Sequence, residues 1–146
     1  MRESHLLFVI AVGVAGCCAN SPVEAGPELV WDDGDSGRLG DLKFRLADVD
    51  APETWRPKCE EERVLGYEAK AFMEDLTEGR RVTITSEDGY DGFNRLLVTL
   101  SVGGRDVAEA GLEAGVLREW PHDGTKAQAD RPDWCGDRSR ISAPDE

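Results

Sequence analysis

The chain has 146 residues, of which 40% are hydrophobic and 32% charged, and carries a formal net charge of −13. That length gives room for one domain with a modest core, and the charged fraction excludes a membrane-embedded protein. The acidity excludes a whole-protein field that gathers polyanions, so any attraction to a phosphate has to be local.

Met1-Arg2 followed by the apolar run Leu6 to Ala15 reads as an export signal over residues 1–25, because the run is too short to span a bilayer as a helix. Two processing readings stand side by side. Val23-Glu24-Ala25 suits ordinary signal peptidase cleavage before Gly26, whereas Val14-Ala15-Gly16-Cys17 resembles a lipoprotein box that would leave Cys17 lipidated. The bland alternative is a buried or disordered N-terminal arm. The protein is expected to be exported, periplasmic or secreted, and to touch a membrane only through a lipidated Cys17. Residues 26–140 are then the folded domain and 141–146 a polar tail.

Residues 20–28 are small and polar and read as a linker. Leu29–Trp31 is a short strand. Leu42–Leu46 alternates apolar and polar residues, the period of a half-buried strand, and Ala51-Pro52 closes that region. Val64, Leu65, Ala69, Phe72, Met73 and Leu76 recur at helical spacing and predict a helix from about Glu61 to Glu78. Glu60, Glu61 and Glu62 suit its N-terminal dipole, and Gly79 stops it. Val82–Thr85 reads as a strand, Ser86–Asn94 as a polar loop, Leu96–Val102 as a strand, and Gly103-Gly104 as a tight turn. A second helix starts at Asp106, with Glu109 as capping-box partner, and ends at Gly115. Beyond Trp120 the chain is polar and rich in turns.

Four cysteines fall into two groups. Cys17 and Cys18 lie in the signal region. Cys59 and Cys135 remain as an even pair in an oxidising compartment and read as one disulfide closing a long loop. Two free thiols and a metal site are the alternatives. Zinc fits poorly, since neither cysteine has a CxxC partner and the histidines are only His5 and His122. His122 reads as a surface loop residue.

The chemistry concentrates in Asp33-Gly34-Asp35-Ser36 and in Phe44-Arg45-Leu46-Ala47-Asp48-Val49-Asp50-Ala51-Pro52-Glu53-Thr54, with Asp91-Gly92-Phe93-Asn94-Arg95-Leu96 following much later. Asp35 and Asp50 can bind a hard cation through oxygen. Glu53 is free to handle a proton. Arg45 and Arg95 offer planar forks that match a phosphate and can balance charge gained by a five-coordinate phosphorus. Together these are the parts of a metal-assisted phosphodiester hydrolase. Taken singly each has an ordinary reading: a turn for Asp33-Gly34-Asp35, an exposed loop acid for Glu53, surface ion pairs for the arginines. An EF-hand is excluded, because counting from Asp33 its sixth position would be Arg38 and its twelfth Phe44.

These segments, in this order, resemble the staphylococcal-nuclease-like (thermonuclease) family of the short exported bacterial type. Asp33 to Ser36 is similar to that family's Asp-Gly-Asp-Thr, and Arg45 to Glu53 to its Arg-Leu-x-x-(Ile/Val)-Asp-(Ala/Thr)-Pro-Glu. Asp91 to Leu96 is similar to its Asp-x-(Tyr/Phe)-Gly-Arg-x-Leu, and Gly103 to Gly115 to the helix that follows. The resemblance covers roughly Leu29 to Trp134. It implies an α+β, mainly β fold: a five-stranded OB-fold-like Greek-key barrel with two to three packed helices. It implies calcium held by Asp35, Asp50 and the main-chain carbonyl of Ala51, with Glu53 as general base or as the group that orients the attacking water, and Arg45 and Arg95 as the phosphate clamp. It further implies endonuclease action on DNA and RNA with 3′-phosphate products. A monomer with no stable protein partner is expected. Ser36, Ala51, Phe93 and Asn94 stand where relatives have threonine, threonine, tyrosine and glycine, and Gly92 stands where they often carry a basic residue. Phe93 and Trp120 could stack on bases, with a core role equally open to Trp120. The rivals are a catalytically weak or inactive barrel that binds nucleic acid or a protein partner, and a calcium-stabilised structural domain.

Overall fold

The computed structural model describes residues 27–121 and 131–136. The export-signal and Cys17 readings, His122 and the polar tail concern residues outside these. Eight strands and two helices alternate along the described chain: β1 (Leu29–Trp31), β2 (Ser36–Leu39), β3 (Leu42–Leu46), β4 (Val49–Asp50), α1 (Glu60–Thr77), β5 (Val82–Tyr90), β6 (Leu96–Val102), β7 (Arg105–Asp106), α2 (Val107–Ala114) and β8 (Arg118–Glu119). The main sheet runs β1-β2-β3-β6-β5, with β7 paired to β6, and β4 pairs separately with β8. All pairings are antiparallel except β3 with β6, which is parallel. The fold is therefore mostly β, a mixed Greek-key-like sheet with two helices among the described residues, as the OB-fold-like α+β expectation requires.

Alternation decides which strand residues go inside. Leu96, Val98, Leu100 and Val102 of β6 meet Phe44 and Leu46 of β3 in a core that also takes Trp31, Val49, Ala51, Met73, Val107 and Leu117. Trp31 packs edge-on to Phe44 with ring centroids 5.3 Å apart, and its indole N–H donates to the Thr77 hydroxyl of α1 at 3.0 Å. That bond ties the helix's last turn to the sheet and satisfies the buried Trp31 indole donor. Cys59 caps the N-terminus of α1, its sulfur accepting from the Glu62 N–H.

Two elements depart from the sequence reading. Ser36–Leu39, expected only as part of a turn motif, is a strand, because β1 and β3 pair with it on both sides although its own residues do not alternate. β5 continues to Tyr90 instead of giving way to a loop after Thr85. Its outer half is wholly exposed and its pairing with β6 shifts register twice, so neither burial nor alternation marks it in the sequence. Asn94, in the turn between them, has φ 59°, a left-handed conformation that asparagine tolerates.

Candidate active site

Antiparallel pairing of β2 with β3 places Ser36 opposite Arg45 and so brings Asp35 beside the arginine. The turn Asp33-Gly34-Asp35 is fixed by the Leu46 N–H, which donates to the Asp35 carbonyl at 2.8 Å. β4 then returns Asp50 to the same spot. Asp35, Arg45 and Asp50 are all buried. One guanidinium nitrogen of Arg45 lies 2.8 Å from Asp35 Oδ2 and 3.2 Å from Asp50 Oδ1, and it also donates to the Val49 carbonyl at 3.3 Å. The Ala51 N–H donates to Asp35 Oδ2 at 2.9 Å. Burial pushes the Asp35 carboxyl above its usual range despite Arg45, whose charge pulls the other way.

Glu53 follows on a loop gripped from two sides. Asp33 Oδ1 accepts from the Thr54 N–H at 3.0 Å and from the Thr54 hydroxyl. The buried Glu62 of α1 accepts from the Glu53 N–H at 3.4 Å and from the Lys58 N–H. The helix comes so close that a Cβ on Gly66 would meet the Glu53 carbonyl oxygen at 2.8 Å, and one on Gly34 would meet the Ala69 Cβ at 2.7 Å. Small residues at these points let the aspartate turn, the glutamate loop and α1 pack on one another. The Glu53 side chain remains 31% exposed, facing solvent at the rim of the buried cluster. Partial burial raises its pKa, Arg131 opposes that rise, and the charges of Asp33 and Asp35 add to it.

Arg131 was not singled out by the sequence. Its Nε donates to Asp50 Oδ1 at 2.7 Å, and one of its terminal nitrogens reaches both the Ala51 carbonyl at 3.1 Å and Glu53 Oε1 at 2.9 Å. Trp134, buried three residues later, donates its indole N–H to Asp50 Oδ2 at 2.9 Å. The Arg118 guanidinium covers the Trp134 ring at 4.1 Å and donates to the Asp133 carbonyl at 2.6 Å. A disulfide joins Cys135 to Cys59 at the start of α1. Residues 131–135 thus form a strap over the aspartates, fastened at one end to the helix that grips Glu53.

The structure gathers Asp35, Arg45, Asp50, Ala51 and Glu53. Arg95 is held elsewhere: its backbone N–H and side chain both donate to Asp91, at 3.0 and 2.7 Å, and its guanidinium lies 5.4 Å from the Phe93 ring. Hydrogen bonds from Arg95 and Phe93 outweigh the burial of Asp91 and hold its carboxyl below the usual range. The parallel register sets Leu97 opposite Arg45, and Arg95 lies in the turn just before β6, paired with Asp91. Arg45 does not take the ordinary reading of a surface ion pair. It is enclosed, and the half-buried Trp120 ring lies 5.7 Å from it. The Trp120 ring thus stacks on an arginine, whereas Phe93 is 81% exposed. Trp55, two residues beyond Glu53, is equally exposed and was not singled out; an indole stranded in a charged loop beside the glutamate was its only signal.

The oxygen types of Asp35, Asp50 and Ala51 suit a hard cation. Their surroundings in this arrangement do not. Both carboxylate oxygens of Asp50, Oδ2 of Asp35 and the Ala51 carbonyl already accept from protein donors, with Arg131 across the side facing Glu53. Among the described residues no cluster of three or more acidic, histidine or cysteine side chains is arranged to hold a metal. A resident cation does not fit while Arg131 is in place.

A family model described as staphylococcal nuclease homologue matches residues 43–131. No curated protein matches the chain.

Proposed function

Since the chain belongs to the staphylococcal nuclease homologue family, we propose that it is an exported endonuclease that hydrolyses phosphodiester bonds in DNA and RNA and leaves 3′-phosphate ends. The observation that carries this reading is the Glu53 carboxylate: firmly positioned, raised in proton affinity and open to solvent beside the buried Asp35–Arg45–Asp50 cluster. Glu53 takes the proton of a water whose oxygen bonds to phosphorus as the P–O5′ bond breaks and the 5′-oxygen leaves, taking a proton to become a hydroxyl; positioned carboxylates accelerate such a step by about 10²–10⁴-fold. Arg95 supplies charge to the phosphate from the turn before β6, and Arg45 supplies it from within. Phe93 and Trp55, both exposed, offer faces for unstacked bases. Calcium, which the family relationship implies, is the cation these oxygens would take once Arg131 is displaced.

One observation favours a second reading, a catalytically weak module that binds nucleic acid. Arg45, Asp50 and Glu53 are already paired with one another or with Arg131. Digestion of single- and double-stranded DNA and of RNA by the mature protein, in calcium and in chelator, separates the two. Cleavage that Glu53→Gln abolishes supports the enzyme. Binding with no cleavage under any of these conditions overturns it.

A further inference from the structure

We infer that Arg131 stands in the place of a divalent cation in this centre and excludes one from it, held there by the strap that the Cys59–Cys135 bridge fastens down. The guanidinium does what a bound cation would do geometrically. It reaches one oxygen each from Asp50, Ala51 and Glu53, at 2.7, 3.1 and 2.9 Å. Two of these are the oxygens that the sequence pattern offers to a metal, and the third belongs to the acid beside it. It also does the electrostatic work, since Asp35, Asp50 and Glu53 face Arg45 and Arg131. Removing Arg131 uncovers a carboxylate excess on oxygens suited to calcium. A cation there would claim the oxygen lone pairs that Arg131 already uses and add a third positive centre beside Arg45 and Arg131. The two occupants are mutually exclusive.

The strap sets the odds between them. Arg131 sits only four residues from Cys135, and Trp134 between them is buried on Asp50 Oδ2. A short tether of this kind gives its end group a millimolar-scale effective concentration at the site. The other sulfur belongs to Cys59, the N-cap of α1, so the strap closes on the helix whose Glu62 holds the Glu53 N–H. The closed form is a resting one, with Glu53 paired to a guanidinium at one oxygen. Reduction of the bridge by a dithiol, which gives up two electrons and two protons to form the Cys59 and Cys135 thiols and itself becomes a disulfide, frees Arg131 to leave and makes the oxygens available, so cation affinity depends on the redox state of the bridge. The inference rests on the same site as the proposed nuclease activity, but its test contains no nucleic acid.

The test is a calorimetric titration of calcium chloride into chelator-treated mature protein. Four samples are compared: oxidised wild type, reduced wild type, Arg131→Gln and Cys135→Ser. Arg131→Gln, Cys135→Ser and reduced wild type should each bind calcium about tenfold or more tightly than the oxidised wild type. Calcium-induced rises in melting temperature give a second reading on the same samples, and reduced wild type keeps the comparison open if a substitution impairs folding. Oxidised wild type binding calcium as tightly as the other three overturns the inference. Absence of calcium binding in all four also overturns it, because Arg131 would then stand in for nothing. A protein that shows the expected ranking yet cuts no nucleic acid loses only the proposed function.

Discussion

Cutting the bridge between Cys59 and Cys135 by Cys135→Ser should cost the fold several kcal/mol. The two cysteines are 76 residues apart in sequence, a separation for which the loop-entropy relation gives about 4.5 kcal/mol at 25 °C. Releasing the strap also exposes Trp134, a loss of about 2–3 kcal/mol of apolar burial. Native disulfides of small secreted domains contribute about 2–5 kcal/mol, and a domain of this size loses roughly 3–5 °C of melting temperature per kcal/mol. The expected fall is about 6–25 °C. Thermal melts followed by circular dichroism on oxidised wild type, reduced wild type and Cys135→Ser measure it, and the last two should coincide. A shift under about 3 °C for Cys135→Ser would refute the assignment of this strength to the bridge.

Glu53→Gln should reduce turnover on DNA by about 10²–10⁴-fold while the far-ultraviolet spectrum and the fold persist; unchanged turnover removes Glu53 from its role. Gly66→Ala should push the glutamate loop off α1, since the new Cβ would meet backbone oxygens at 2.8 and 3.0 Å, costing about 1–3 kcal/mol in denaturant titrations and lowering turnover with it. A variant as stable and active as the wild type shows that this contact does not position Glu53. Partial burial raises the Glu53 pKa, so between its unfolded and folded values the folded chain holds the extra proton. This group's contribution to stability therefore declines as pH rises through that window. Cleavage, which needs the carboxylate, should have its acid limb above the ordinary glutamate range, and a limb at or below that range contradicts the assignment.

Legibility in the sequence followed distance along the chain. α1 was visible within a residue at each end, because helical periodicity and its acidic first turn are local signals. β6 and the Gly103-Gly104 turn were visible for the same reason: alternation and paired glycines need no partner to be read. β2 and the outer half of β5 were not, because neighbouring strands impose them. The site divides along the same line. Asp35, Arg45, Asp50 and Glu53 fall within one short stretch and were read as a set. Arg131 and Trp134 reach Asp50 across separations of 81 and 84 residues, and no period or motif encodes that approach. The cysteine pair was the one available signal, since bridging Cys59 to Cys135 forces the intervening residues past the start of α1.

Two guanidinium groups, Arg45 and Arg131, offset the three carboxylates that this acidic chain brings together. Asp50 is completely buried, and a buried carboxylate is tolerated only when its oxygens are paired and bonded. Here Arg45 comes from β3, Arg131 and the Trp134 indole from the strap. Three donors from two distant parts of the chain converge on one side chain. The aspartate turn and β3 cannot complete that set by themselves, so closing the strap finishes the electrostatics of the core as well as covering the site. The same closure pairs Glu53, the one member left facing solvent, with the guanidinium that completes Asp50. Stability and catalytic readiness therefore pull on the same residue in opposite directions. Arg131 in place favours the closed fold, Arg131 withdrawn frees the glutamate, and the disulfide decides how often the second state is visited.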